Sequence, residues 1–199
     1  MLENRHGAVI LAAGGSSRLG QPKQLLMHHG ETLIRRAVRA AMSTQPVATI
    51  VVVGARGDDV FASVADLAPS RVDCSDWQLG MGASLRAGLA ALPSSCAGAL
   101  IVLCDQPALG AEHLKAVCAA WHAAPDHAAA SFYAGKIGVP ALIPRAWFDD
   151  AVREIRDRGA RDLLERRRDR VSVVENEALA ADIDKPADLS SLSANMKET

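Results

Sequence analysis

Three short, unbroken apolar runs constrain this chain more than anything else in it: AVILA at 8–12, TIVVV at 49–53 and GALIVL at 98–103. Each has the length of a strand and lacks the polar alternation of a half-exposed one. Runs of this kind belong to strands covered on both faces, as in a parallel sheet between helices. The stretches between them agree. Glu31–Met42 sets Leu33, Ile34, Ala37, Val38 and Ala41 at helical spacing. Asp58–Leu67 reads as a weaker helix, Arg71–Cys74 as a short strand, and 81–92 as a helix with Leu85, Leu89 and Leu92 on one face. A helix over Ala111–His122, strands over 128–133 and 137–143 around Gly135, and a last strand over Val171–Val174 follow. Helical periodicity over 145–168 is broken at Gly159. This alternation predicts βαβ units in one doubly wound, mostly parallel sheet. No repeat, low-complexity segment or linker interrupts the 199 residues, so one domain over 1–199 is expected. Ligands of such sheets bind beyond the carboxyl ends of the strands, which places the loops after 12, 53 and 103 on a common edge.

Charge and cysteine usage narrow the function. Lys plus Arg number 22 and Asp plus Glu 23, a net charge of −1, with no electrostatic reason to expect nucleic acid or an anionic membrane as partner. The basic stretch Arg166–Arg170 continues a helical pattern and contains Asp169, as a solvated helix end does. Cys74, Cys96, Cys104 and Cys118 form no CxxC, and the six histidines show no ligand spacing, so neither a zinc site nor a redox motif is expected. Cys104 ends an apolar run and reads as a buried thiol. The polar residues 1–7 lack a signal-peptide core, and no apolar stretch approaches the ~20 residues that span a bilayer. A cytoplasmic location is expected.

The chemistry concentrates in VILAAGGSSRLGQPKQLL, residues 9–26. A dinucleotide loop needs GxGxxG, and Gly14, Gly15 and Gly20 have the wrong spacing. A P-loop needs GxxxxGK[ST], and Gln21-Pro22 stands where Lys-Ser should follow; Pro22 has no N–H to donate. What remains is a loop whose small residues Ala12, Ala13, Gly14 and Gly15 let a ligand approach the backbone N–H groups. Ser16, Ser17, Arg18 and Lys23 add donors and two positive charges, suited to a polyphosphate. A wet surface loop has the same composition. Asp105 follows the third apolar run directly and suits a metal ligand, although a turn or helix N-cap also uses aspartate there.

LAAGGSSRLGQPKQLL resembles the signature LAAGxSxRxGxxK of the MobA-like NTP transferase family, nucleotidyltransferases related to the molybdenum-cofactor guanylyl- and cytidylyltransferases. Further segments continue the resemblance in order: DWQLGMGASLRAGL (76–89), CDQP (104–107), GVPAL (138–142), RGARDLL (158–164) and DIDKPADL (182–189). The resemblance implies a Rossmann-like three-layer α/β/α sandwich with a mostly parallel, mixed sheet, the nucleotide-diphospho-sugar transferase (GT-A-like) architecture. It also implies Mg²⁺-dependent transfer of a nucleotidyl group, with Lys23, Arg18 and Asp105 as the catalytic set. Leu11, Ala12, Ala13, Gly14, Gly15, Ser16, Ser17, Arg18, Lys23, Gly80, Gly82, Ser84 and Asp105 would contact the nucleotide. Ser84 also suits a helix N-terminus on its own residue type. Asp105 and Asp184 would hold Mg²⁺, with Asp182 close by and Lys185 where the family usually has threonine. Gly138, Pro140 and Arg161 would lie near the acceptor. Ala13, in LAAG rather than LAGG, implies CTP, and the family implies molybdopterin as the phosphate-bearing acceptor. GTP, a sugar or alditol phosphate acceptor, or a non-catalytic carrier that hands the cofactor to a molybdenum hydroxylase apo-enzyme of the xanthine dehydrogenase type are the alternatives.

Overall fold

A computed structural model describes residues 5–154, 160–184 and 186–188. The three apolar runs are strands β1 (His6–Ala12), β4 (Thr49–Val53) and β6 (Gly98–Leu103). With β5 (Ser70–Asp73), β7 (Ala128–Tyr133), β8 (Lys136–Pro144) and β9 (Val171–Glu175) they form a seven-stranded sheet of order β5-β4-β1-β6-β8-β7-β9. Strand β1 runs parallel to both β4 and β6, β4 to β5 and β7 to β9, while β8 is antiparallel to β6 and β7. The sheet is therefore mixed but mostly parallel.

Both faces of the sheet are covered, as the unbroken runs require. Along β1, Val9 and Leu11 join one core, and Ala8, Ile10 and Ala12 join the other. The first core is closed by α3 (Met81–Ala90), α5 (Phe148–Glu154) and α6 (Arg161–Arg166). The second is closed by α1 (Leu33–Met42), α2 (Gly57–Ala62) and α4 (Ala111–Ala123), with Trp121 fully buried. The result is three layers, helices on each side of a sheet.

Two local readings differ from the sequence expectation. Helix α1 begins at Leu33 rather than Glu31, because Thr32 is extended and its side chain caps the helix by accepting from the Arg35 N–H. Glu31–Thr32 is instead strand β3, paired with β2 (Met27–His28) in a two-residue hairpin. His29 and Gly30 both have positive φ, 50° and 78°, as a tight hairpin turn of the right twist demands. The expected helix over Asp58–Leu67 stops at Ala62, and a separate short 3-10 turn covers Ala65–Leu67. Gly159 and Lys185 lie outside the described residues.

His6, at the start of β1, is 4% exposed, with Nε2 2.9 Å from Thr44 Oγ1. Burial, helped by nearby His122, pushes its pKa down to about 4. Charging it therefore opposes folding. The neutral ring's contribution is present above pH 6.5 and is lost as pH falls from there towards 4. At 1.36 kcal/mol per pKa unit, the wild type should lose roughly 3 kcal/mol more than His6→Gln over that interval. Chemical denaturation of both proteins at pH 7 and pH 4 measures this; equal losses would contradict it.

Candidate active site

The register of the sheet brings the three loops together. Ala12 lies opposite Val53 and Leu11 opposite Leu103, so β1, β4 and β6 end on one edge. The loop after β1 is held by Gln24, whose buried side-chain amide donates to the carbonyls of Ala12 (2.9 Å) and Gly14 (2.8 Å). The Ser16 hydroxyl accepts from the Lys23 N–H at 3.1 Å, and the Ala55 N–H donates to the Ala13 carbonyl at 3.1 Å. Trp77 packs against this junction so closely that a Cβ on Gly54 would sit 2.7 Å from Trp77 Cγ and 2.8 Å from the Ala13 oxygen. These contacts fix the loop that composition alone leaves free to move.

Fixing the loop points Lys23 at the end of β6. Its Nζ donates to Asp105 Oδ2 at 2.6 Å and lies 3.4 Å from Asp184 Oδ1. Arg18 reaches the other oxygen of Asp184 at 2.6 Å. Asp184 is carried here by the chain after β9, which the Ile183 N–H ties to the Asp105 carbonyl at 2.9 Å. Burial alone would lower the Lys23 pKa, but the charge and hydrogen bond of Asp105, with Asp184 behind, outweigh it and hold the ammonium above its ordinary value. Asp182 is raised by burial and by the repulsion of Asp105 and Asp184. Three carboxylates and two cations thus gather at one strand edge. Asp105 Oδ1 is buried without a hydrogen-bond partner. Two carboxylates converging on one ammonium, one with an unsatisfied oxygen, fit a hard divalent cation such as Mg²⁺, which needs one or two protein oxygens beside phosphate and water. Among the described residues no group of three or more His, Cys, Asp or Glu could hold a metal by itself.

Two cavities meet at Asp105, Met81 and Leu103. One, of about 270 Å³, is lined by Leu11, Ala13, Gly14 and Lys23 on one side and Gly80, Met81 and Ser84 on the other. Gly80 has φ +101°, a conformation glycine accepts readily, and starts α3 at this cavity. Trp77 and Gln78 complete its wall. A smaller recess of about 130 Å³ continues outward past Gly14, Ser16, Ser17, Arg18, Lys23 and Asp184. The other main cavity, of about 310 Å³, is bounded by Gln106, Tyr133, Lys136, Val139, Arg161 and Asp182.

Most of the residues singled out in the sequence fall at this edge, and several fall in different places from their neighbours. The Ala12 side chain faces the second core and offers the edge only its backbone. Gly15 lines a shallow outer recess with Ser16 and Ser17. Gly82 is buried within α3, and the Ser84 hydroxyl turns to the Cys74 sulfur at 3.9 Å rather than capping the helix. Val139, not Gly138 or Pro140, lines the second cavity. Gly138 packs under Tyr133, and the Pro140 carbonyl accepts from buried Ser131 at 2.7 Å. Arg161 lines that cavity directly. Gln24, Trp77, Gln106, Tyr133 and Lys136 were not named as site residues by sequence, although Gln24, Trp77 and Gln106 stand within the quoted segments LAAGGSSRLGQPKQLL, DWQLGMGASLRAGL and CDQP.

Comparison with known proteins agrees with this architecture. The model of the MobA-like NTP transferase domain matches residues 8–171. The purine catabolism protein PucB of Bacillus subtilis is 32% identical over 164 residues, 78% of each chain. Nicotine blue oxidoreductase of Paenarthrobacter nicotinovorans is 40% identical over 103 residues, 51% of this chain and 50% of that protein. The bifunctional protein GlmU of Streptomyces coelicolor is 35% identical over 124 residues, 60% of this chain and 26% of that protein. The chain thus spans about a quarter to a half of the length of these last two. Among solved structures, an Rv0371c homologue from Mycobacterium sp. strain JC1 superposes with TM-score 0.81 at 29% identity over 96% of each chain. Rv0371c of Mycobacterium tuberculosis, in a complex with manganese, gives 0.80 at 25% identity over 94% of this chain and 97% of that one. CMP:2-keto-3-deoxy-manno-octonic acid synthetase gives 0.74 at 14% identity over 96% of this chain and 98% of that one, a likeness of fold alone. The fold is that of the nucleotide-diphospho-sugar transferases.

The ion pair predicts a stability pattern. Lys23→Met leaves the carboxylate of Asp105 buried and unpaired, and should cost about 3 kcal/mol in the ligand-free protein. Adding Asp105→Asn should restore part of that loss, a coupling read from a denaturant double-mutant cycle. Because the Lys23 pKa is raised, its contribution is complete below pH 10.5 and falls only as pH rises through the higher folded value. The cost should therefore be equal at pH 7 and pH 9. Additive single effects would contradict the coupling.

Proposed function

The chain belongs to the MobA-like NTP transferase family, and from that premise we propose that it is a nucleotidyltransferase, specifically an Mg²⁺-dependent CTP:molybdopterin cytidylyltransferase. Its products are molybdopterin cytosine dinucleotide and pyrophosphate. The observation that carries this reading is the pair of cavities meeting at Asp105, with Lys23 and Arg18 on the nucleotide side. One domain holds both substrates across one aspartate.

In this reaction a phosphate oxygen of the acceptor forms a bond to the α-phosphorus of CTP. The bond from that phosphorus to the oxygen bridging to the β-phosphorus breaks, and pyrophosphate leaves with the electron pair. Transfer of this kind depends on position and on charge stabilisation. Backbone groups of Leu11 to Gly14, with Gly80 and Ser84, hold the nucleoside; Gly15, Ser16 and Ser17 follow the phosphates outward. Arg18 and Lys23 exchange their carboxylate partners for phosphate oxygens. Lys23 then faces the charge that develops on the α-phosphate and the leaving group. Asp105 and Asp184 would hold the metal, which when bound would supply further charge neutralisation at the phosphates. The manganese complex of Rv0371c supports a divalent cation in this setting. Arg161, across Asp105, meets the acceptor's phosphate. Ala13 in the LAAG form of the motif supports CTP over GTP.

The product would pass to a molybdenum hydroxylase apo-enzyme in the cytoplasm. Neither nucleic acid nor membrane enters the reading; among the described residues no helix is long and apolar enough to cross a bilayer.

Melting curves with CTP, GTP, ATP and UTP, each with and without Mg²⁺, test the proposal. At about 100 times its dissociation constant a ligand adds about 2.7 kcal/mol, which raises Tm by roughly 5–10 °C for a domain of this size. CTP with Mg²⁺ should give that shift. A preference for GTP would overturn the reading of Ala13, and no shift with any nucleotide would overturn the reaction. With molybdopterin supplied, Lys23→Met should lower pyrophosphate release by roughly 10²–10³-fold while remaining folded; full activity in that variant would remove Lys23 from the catalytic set.

A further inference from the structure

Helices cover the sheet above and below, but not at its ends. Strand β5 is the outermost strand on the side of β4, and among the described residues no strand pairs with its outer edge. One bond settles which backbone groups face that edge. The Cys74 N–H donates to the Val53 carbonyl at 2.8 Å, next to the pairing of Val53 with Asp73. Along a strand the groups alternate in direction, so those of Val72 and Cys74 face β4. The N–H and C=O groups of Arg71 and Asp73 therefore face the open edge. An edge of this kind is a template for a further strand unless something on it blocks the approach.

The charges on β5 decide what approaches. Ser70, Arg71 and Asp73 are exposed and Val72 is half-buried. Arg71 and Asp73 share the face of the sheet that carries α2. There Arg71 Nη2 lies 2.6 Å from Asp73 Oδ1 and Nη1 2.8 Å from Asp58 Oδ1, with the guanidinium 5.7 Å above the Phe61 ring. A charged edge repels a partner strand only where like charges meet. Consider a second copy laid antiparallel along β5. Centring the pair on Arg71 sets arginine against arginine, and centring it on Asp73 sets aspartate against aspartate. Centring it on Val72 sets Arg71 of each copy opposite Asp73 of the other. That register also matches the outward N–H and C=O groups, because Arg71 and Asp73 are the residues that present them.

We propose that β5 is the surface through which two copies of this chain form a reversible homodimer, antiparallel about a two-fold axis at Val72. The contact is isologous, the same four residues meeting themselves. Arg71 and Asp73 supply the backbone hydrogen bonds and, with their side chains, an ion pair at each end. Val72 meets Val72 of the second copy between them, at the position where an antiparallel ladder brings side chains closest. Because the joined strands run in opposite directions, the active edges of the two copies lie at opposite ends of the combined sheet. Neither copy covers the other's cavities. A strand of four residues is far smaller than the about 20–30 residues a side of a standard interface, so the dimer forms and dissociates with protein concentration.

Sedimentation velocity of the whole chain from about 10 μM to about 1 mM, at low ionic strength, reads this association. The wild type should pass from monomer towards dimer over that range. Arg71→Asp sets carboxylates opposite one another, and Asp73→Arg sets guanidinium groups opposite one another. Each variant alone should associate at least about tenfold more weakly than the wild type. Mixed in equal amounts, the two variants present unlike charges at both ends of the contact and should associate again, as a heterodimer. Arg71→Asp combined with Asp73→Arg in one chain keeps the strand self-complementary and should retain the dimer, which keeps the test decisive should a single variant fail to fold. A wild type that stays monomeric throughout, association that neither single variant weakens, or loss of the dimer in the doubly exchanged chain would each overturn the proposal.

Discussion

The contact between Lys23 and Asp105 organises this molecule's chemistry. In a site with only 19% and 15% of the two side chains exposed, an ammonium and a carboxylate 2.6 Å apart satisfy one another. Neither is easily left alone there, because an unpaired buried charge costs several kcal/mol. Asp184 joins from a third segment, and Arg18 closes the group from outside. The ligand-free protein therefore stores its cations on its own carboxylates. On the reading proposed above, binding a metal nucleotide would be an exchange, in which phosphate takes the cations as the metal takes the carboxylates.

The fold makes that exchange local. Strands β1 and β6 deliver Lys23's loop and Asp105 to one edge because their registers align, and the Ile183 N–H brings Asp184 to the same place. Gln24 does for the first loop what a side chain inside a core does for a helix: it converts a glycine-rich, mobile segment into a single conformation. Trp77 restricts the loop from the other side, against Gly15 and Gly54. Rigid scaffolding around few charged groups suits a reaction that depends on position more than on covalent participation by the protein.

Much of this was legible in the sequence, and the reason is physical. Strands covered on both faces read as unbroken apolar runs, so β1, β4 and β6 could be placed almost to the residue, and their order fixed the active edge. Asp105 stood out as a charge just past such a run, whereas Arg18 and Lys23 stood out as the cations of the loop after β1, with roles implied by the family signature. The hairpin at 27–32 was missed because two-residue strands carry no periodicity; His29-Gly30 was its sole local mark. Val139 was passed over for Gly138 and Pro140 because a shift in strand pairing decides which residue of GVPAL meets the cavity, and pairing is a property of two segments. Tyr133 and Lys136 were equally silent, and Gln106 stood within CDQP with no role assigned to it. Their significance comes from carbonyls and cavities supplied by distant parts of the chain.

The most direct test of the exchange is the affinity for Mn²⁺, measured by the loss of its free-ion EPR signal, with and without CTP. With Lys23 holding Asp105 and Asp184, Mn²⁺ alone should bind weakly, and saturating CTP should tighten it by about tenfold to a hundredfold beyond its affinity for CTP in solution, the range of a coupling of 1–3 kcal/mol. In Lys23→Met, with the carboxylates released, Mn²⁺ alone should bind more tightly than it does to the wild type. Weaker or equal binding of Mn²⁺ to Lys23→Met, with no gain from CTP in the wild type, would contradict the account.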